Sequence, residues 1–331
     1  MIKGHGDDAY LFGDIRSDFS SNISPLIDTC RLRNHLAECL TLISHYPEPA
    51  AMSLEKRIAT ELGIAADEVL VTSGATDAIY LIAQTLRHEH TFAVSHPTFS
   101  EYLDACRMFD YEELLQGASV RWICNPNNPT GEVQTIAVLK ALASRHRWLV
   151  IDQSYEDCTF EPMLTARDAI MMQNVIQLHS MTKRFAIPGL RLGYVVAPAT
   201  VINRLRANHR PWAVNALAIE AGLWLMDHQN PHEHDDRKTL LMETQRLADK
   251  LHDIPGLTVL PTATNFMLCQ LSRGTASALK EELARHHGIL IRDASNFPGL
   301  TPQHFRIATQ TPAENDALIA AIRQLLCTVH C

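Results

Sequence analysis

The chain divides into two stretches of different hydrophobic patterning. Between residues 68 and 200, short apolar and β-branched runs alternate with segments whose apolar residues recur at helical spacing. The runs at 68–72, 91–94, 120–124, 148–152, 175–179 and 192–197 predict strands, and 76–86, 100–108 and 133–145 predict helices. Strands alternating with helices indicate a mostly parallel sheet covered on both faces, which binds ligands in the crevice at the carboxyl ends of its strands. After Pro211 the pattern changes. Two long helical segments, 215–228 and 237–253, lead into strands at 257–259 and 265–270. A helix over 276–287 stops at Gly288, a suitable left-handed residue, and short strands follow at 289–292 and 305–308. The last helix has an explicit start, with Thr311 as N-cap, Pro312 in the first helical position and Glu314 completing a capping box. This second stretch reads as a smaller α+β domain joined by the N-terminal arm. The boundaries expected are 1–30 for the arm, 31–210 for the large domain and 211–331 for the small one.

Composition narrows the function classes. With 331 residues, 46% of them apolar, the chain exceeds what a single core usually holds, about 250–300 residues. The longest apolar stretch, 216–226, contains Glu220 and is too short for a membrane span, and no apolar run follows Lys3 to form a secretory leader. A net charge of −8 gives nucleic-acid binding no support. Eight scattered cysteines without a Cys-x-x-Cys pair suit a reduced, cytoplasmic protein.

Four segments carry candidate chemistry, each at a strand end. Ser180-Met-Thr-Lys183-Arg-Phe-Ala-Ile-Pro-Gly-Leu-Arg191 places a lysine among apolar neighbours, where a depressed pKa frees a nucleophilic amine; Ser180 and Arg191 suit a phosphate. Ser73-Gly74-Ala75-Thr76-Asp77 joins a glycine turn to a helix start, whose free N–H groups and Thr76 hydroxyl form an anion site. Asn125-Pro-Asn127-Asn128-Pro-Thr130-Gly131 fixes a loop that aims an Asn side chain into the crevice. Asp152-Gln-Ser-Tyr155 sets a carboxylate where it can pair with a protonated pyridine nitrogen. Taken singly, each has a bland alternative: a surface loop, a helix cap, an Asn-Pro turn, a buried capping Asp.

Together and in this order, the four segments resemble fold-type-I pyridoxal-phosphate (PLP) enzymes of the aspartate-aminotransferase fold. The resemblance implies a large domain with a mostly parallel seven-stranded sheet. It implies that Lys183 carries the cofactor as a Schiff base and acts as general acid/base. Asp152 then pairs with the pyridine nitrogen, and Asn128 and Tyr155 bind the phenolic oxygen. Gly74, Ala75, Thr76, Ser180 and Arg191 hold the phosphate, and Tyr102 stacks on the ring, with Phe99 the second choice. Tyr46 resembles the residue that reaches the cofactor phosphate of a neighbouring subunit, which implies a homodimer with shared sites.

Within that superfamily the chain resembles two families that handle phosphorylated amino compounds, threonine-phosphate decarboxylase of cobalamin biosynthesis and histidinol-phosphate aminotransferase. Asp18-Phe-Ser-Ser-Asn22-Ile-Ser-Pro25, Pro211-Trp-Ala-Val-Asn215 and Arg292-Asp-Ala-Ser-Asn296-Phe297-Pro298-Gly299 favour the decarboxylase. By the same likeness Arg306 clamps the substrate α-carboxylate, Arg292 meets its phosphate, and His5 and Asn22 belong to a substrate-covering arm. Two departures stand out: Gln153-Ser154 replaces the usual Glu-Ala, and Tyr155 replaces the decarboxylases' more frequent Phe, which points towards transamination.

Three rival readings have sequence features of their own. Gly4-His-Gly6-Asp-Asp-Ala9 matches a dinucleotide-binding glycine pattern, but too few residues precede it for the strand such a turn requires. His228, His232, His234, Asp235 and Asp236 could ligate a metal, yet they read as a solvated polar turn between helices, and no metal is expected. A non-catalytic PLP-binding protein would be expected to have lost Lys183 or Asp152, and both are present.

Overall fold

The computed structural model describes residues 8–228 and 230–327. Its strands, in chain order, are β1 (Ser17–Asp18), β2 (Val69–Thr72), β3 (Thr91–Ala93), β4 (Glu112–Glu113), β5 (Val120–Cys124), β6 (Trp148–Asp152), β7 (Val175–Ser180), β8 (Gly193–Val196), β9 (Leu257–Val259), β10 (Phe266–Leu271), β11 (Ile289–Leu290), β12 (Arg292–Asp293) and β13 (His304–Ala308).

Seven of these form one sheet in the order β2-β8-β7-β6-β5-β3-β4. Strand β8 runs antiparallel to both of its neighbours, and the other pairings are parallel. The central strands are buried along nearly their whole length, which is why their sequences are continuous apolar runs instead of alternating ones. One face packs the helices Gly74–Thr85, Glu101–Met108 and Ala199–Asn208; the other packs Met52–Leu62 and Ala216–Asp227. The edge strand β4 consists of two exposed glutamates, a charged rim that resists pairing with another chain.

A second, antiparallel sheet has the order β12-β13-β10-β9 and buries its apolar side against the helices Glu233–His252, Ala276–His287 and Pro312–Cys327. The pair β1–β11 ties residues 17–18 to 289–290. The capping box is present: the Glu314 N–H donates to Thr311 Oγ1 at 3.4 Å, and the Thr311 N–H donates to the Glu314 carboxylate at 3.2 Å. Gly288 closes its helix at φ +62°.

One boundary is corrected. The helix expected at 237 begins at Glu233, so His234, Asp235 and Asp236 lie in its first turn and not in a loop. Glu233, Asp235 and Asp236 there complement the positive end of the helix dipole. No helix among the described residues is long and apolar enough to cross a membrane.

Candidate functional site

The carboxyl ends of β2, β5, β6 and β7 converge on a cavity of about 220 Å³. Its wall includes Ala75, Thr76, Tyr102, Asn128, Asp152, Tyr155, Ser180, Lys183, Arg191, Arg292 and Arg306. Residues from four separate loops and from both sheets therefore meet in one place.

The anion end is built from backbone. The helix Gly74–Thr85 starts directly after β2, with Gly74 at φ +83°. A Cβ on Gly74 would stand 2.9 Å from Arg191 Nη2, and one on Gly193 would stand 2.8 Å from the Ala75 nitrogen. The two glycines thus let the Arg191 guanidinium and strand β8 close on the first turn of this helix, whose free N–H groups suit an anion. Ser180 ends β7 at the same edge, and Lys183 follows on the short helix Met181–Arg184.

Asp152, the last residue of β6, is buried. Its Oδ2 accepts from the Tyr102 hydroxyl at 2.7 Å and its Oδ1 from the Ser154 N–H at 2.9 Å. Burial holds its carboxyl above the ordinary range, and the hydrogen bonds from Ser154 and Tyr102 oppose this only in part. No ion pair reaches it among the described residues. Of the departure at 153–154, the side chain of Gln153 is explained by its contacts. Ser154 holds Asp152 through its backbone, while the Gln153 side chain accepts from Gln177 at 2.9 Å and donates to Glu156 at 3.0 Å.

Tyr102 stacks on Trp122, with centroids 5.4 Å apart, and Phe99 meets its edge at 5.7 Å. Tyr155 is buried with its ring edge-on to Phe266 at 5.0 Å, and burial pushes its phenol well above the ordinary value.

Two arginines occupy the opposite wall. Arg306 on β13 donates from Nη1 to Asn128 Oδ1 and from Nη2 to the Ser20 carbonyl, both at 2.5 Å. Asp18 prepares that carbonyl by accepting from the Ser20 N–H at 2.7 Å and from the Ser21 hydroxyl at 2.9 Å. Arg292 on β12 donates to Asn296 Oδ1 at 2.8 Å and to the Asp293 carbonyl, with its guanidinium 5.2 Å from the centre of the Phe297 ring. Both guanidiniums are buried, and their partners are neutral oxygens; neither forms an ion pair among the described residues. Burial first, then the neighbouring Arg306, lowers the Arg292 pKa to about 10.

Of the remaining expected residues, Asn22 and Tyr46 are described and do not line this cavity, Tyr46 having been expected at a neighbouring subunit's site. His5 lies outside the described residues. Asn22 is buried with its carboxamide unpartnered among the described residues, and its neighbours Ser20, Ser21 and Ile23 line the cavity in its place. Tyr46 is 85% exposed beside Trp212, away from this chain's cavity. The residues that sequence reasoning missed are Ser20, whose contribution is a carbonyl that side-chain identity does not encode, and Phe266, which packs under Tyr155 from the second sheet.

Comparison with known proteins places this site in context. The family model described as aminotransferase class I and II matches residues 31–112 and 109–322. A threonine-phosphate decarboxylase from Salmonella typhimurium is 31% identical, over 93% of this chain and 91% of its own. A histidinol-phosphate aminotransferase from Desulfitobacterium hafniense is 28% identical, over 86% and 84% respectively. The crystal structure of L-threonine-O-3-phosphate decarboxylase from Porphyromonas gingivalis superposes with a TM-score of 0.88 at 35% identity, covering 94% of this chain and 99% of that one.

Proposed function

We propose that this chain, which belongs to the class I and II aminotransferase family, decarboxylates L-threonine O-3-phosphate to (R)-1-amino-2-propanol phosphate, a step of cobalamin biosynthesis. The fold is that of the fold-type-I PLP enzymes, and the cofactor is pyridoxal 5′-phosphate. The observation that carries the substrate reading is the pair of buried arginines, Arg292 and Arg306, facing one cavity with no ion pair to either among the described residues. Two buried cations whose hydrogen-bond partners are neutral oxygens suit a substrate that brings two anionic groups.

The residues fit the cofactor on several independent counts. The Gly74–Thr76 turn with Ser180 and Arg191 offers a phosphate cradle into which no Cβ at 74 or 193 would fit. Asp152 is a buried carboxylate lacking a cation, as required beside a pyridinium nitrogen. Asn128 and Tyr155 line the same cavity near the position for a phenolic oxygen, and Tyr102 supplies an aromatic ring.

When bound, the cofactor supplies an electron sink for the bond broken at the substrate α-carbon. Arg306 holds the α-carboxylate and Arg292 the phosphate, so the substrate is gripped at both ends and its orientation is fixed. With the cofactor bound, that grip would present the bond to the α-carboxylate to the electron sink, so that CO₂ is the group released. Lys183 then delivers a proton to the carbon that lost CO₂. Residues 31–210 carry the cofactor, and the arm with 211–331 covers the substrate. The enzyme works as a homodimer in the cytoplasm. Leu40, Ile43, Tyr46, Met52 and Trp212, large apolar side chains left exposed, support the dimer, and the seven cysteines among the described residues, all unpaired, support the compartment.

A second reading, transamination of histidinol phosphate, is favoured by Tyr155 and by the 28% identical relative. The purified protein distinguishes them. With L-threonine O-3-phosphate, a yellow protein that releases CO₂ and aminopropanol phosphate supports the decarboxylase. No CO₂, but turnover of histidinol phosphate with 2-oxoglutarate, replaces it with the aminotransferase. A protein that takes up no PLP overturns both.

Asp152 also predicts a pH effect. Its folded pKa lies above the 3.8 of an unfolded chain, so the folded cofactor-free protein retains a proton that the unfolded chain releases. Stability is therefore lost as pH rises from about 4 through the raised value. A cationic partner removes that loss. Melting temperature against pH is expected to fall less over this window with PLP bound; parallel curves would remove Asp152 from the pyridine nitrogen.

A further inference from the structure

Remote from the cavity, the helix Cys30–Glu38 packs on the helix Ala216–Asp227 through Leu32, Ala221 and Leu225. Near that seam three different donor types meet. His35 Nε2 lies 2.7 Å from Glu220 Oε1 and 3.7 Å from Cys39 Sγ, and the three ligand atoms all fall within 4.8 Å of one another. His35 and Cys39 are four residues apart, on one face of a helix end, and the Cys39 N–H bonds the His35 carbonyl. Trp224 stacks on the imidazole at 5.7 Å and 25°, which fixes the plane of that ligand.

We propose that His35, Cys39 and Glu220 form a Zn²⁺ site that clamps the two helices together. One nitrogen, one sulfur and one oxygen match the borderline softness of Zn²⁺, whose open tetrahedral sites take three protein ligands with water in the fourth position, unlike the closed four-ligand structural sites. Tetrahedral Zn²⁺ with bonds of about 2.0–2.3 Å sets its ligand atoms roughly 3.3–3.8 Å apart. The His35–Cys39 spacing already satisfies this, and the His35–Glu220 hydrogen bond opens by about half an ångström to admit the ion. Binding replaces that hydrogen bond by two metal–ligand bonds, and the proton His35 Nε2 gave to it is relocated to Nδ1 by exchange with solvent. The Cys39 thiol contributes the third as thiolate and releases its proton to solvent. Without metal, partial burial and the carboxylates of Glu220 and Glu38 hold this thiol above its ordinary value, and a dication reverses their effect. Cys39 is also where the turn Leu40–Ser44 begins, so the ion pins the base of the segment that carries Tyr46.

The test uses the full-length, PLP-loaded protein stripped of metal by a chelator and titrated with Co²⁺, then Zn²⁺. One Co²⁺ per chain is expected, with the intense visible d–d bands of a tetrahedral thiolate site, and Zn²⁺ should displace it. Cys39→Ser and Glu220→Gln should each lower Zn²⁺ affinity by at least ~10-fold, since even changes outside the ligand set cost 10–100-fold. Cys39→His should keep Zn²⁺ binding while losing the thiolate signature in the Co²⁺ spectrum. Turnover should persist in all three. Failure to bind Co²⁺, or equal Zn²⁺ affinity in the parent, Cys39→Ser and Glu220→Gln, overturns the site; equal affinity would mean that the ion sits on the cofactor or on another surface histidine.

Discussion

Replacing Lys183 with alanine is expected to lower turnover of L-threonine O-3-phosphate by at least ~10²–10⁴-fold, the range supplied by one positioned acid–base group. Among the described residues lining the cavity, Lys183 is the one able to act as a nucleophilic amine, and it stands on the helix Met181–Arg184. Its loss removes both the covalent tether and the proton source. Lys183→Arg should fail as completely, because a guanidinium cannot give up its proton near neutral pH and so serves neither purpose. Two readouts separate chemistry from collapse. The variant should still bind PLP, now reversibly on dialysis, and a small exogenous amine should restore part of the CO₂ release by replacing the missing proton donor. Borohydride should fix the cofactor on the Lys183 peptide of the parent alone. A Lys183→Ala protein that retains a tenth of the parental rate would falsify the assignment.

The parts of this site legible in the sequence were those written in side chains beside glycine and proline. Each cavity loop follows a strand, so the apolar runs located the loops. Gly74, Pro126, Pro129 and Gly131 marked where the backbone turns, and the residues between them could then be placed. The capping box at Thr311 was legible for the same reason, since a local hydrogen-bond motif has a local signature. What was hidden depends on tertiary meeting. Glu112–Glu113 carries no apolar pattern, and pairs only because β3 offers an edge. Ser20 contributes a carbonyl, Phe266 reaches Tyr155 from the other sheet, and Arg306 finds Asn128 across 178 residues of chain. The helices Cys30–Glu38 and Ala199–Asn208 are short and bury only Leu32 in the first and Val201, Ile202 and Leu205 in the second, so few apolar positions marked their inner faces. Asn22 was singled out by likeness in sequence; the fold buries its carboxamide without a partner among the described residues and brings its neighbours to the wall.

The charge balance of the site leads to the second large effect. Arg292 and Arg306 are like charges in one desolvated wall, and Arg292 is held to a pKa of about 10 by burial and by its neighbour. A protein selected only for stability would not keep both, so each must be repaid when substrate binds. Arg292→Gln leaves a hydrogen-bonding amide in place of the cation. On the reading that Arg292 meets the phosphate, kcat/KM for L-threonine O-3-phosphate should fall by roughly 30-fold to several thousand-fold, the equivalent of about 2–5 kcal/mol for losing one member of a buried charge pair. L-Threonine, which has no phosphate, should be turned over by the variant about as slowly as by the parent. The substrate-free, PLP-loaded variant should melt at the same temperature as the parent or higher, because a buried cation and its repulsion of Arg306 are gone. These three results belong together. A fall in activity with both substrates would mean that Arg292 supports the fold of the cavity and not the phosphate. A lower melting temperature would mean that Asn296 and the Asp293 carbonyl already satisfy the guanidinium, so that its charge is held for the protein and not for the ligand.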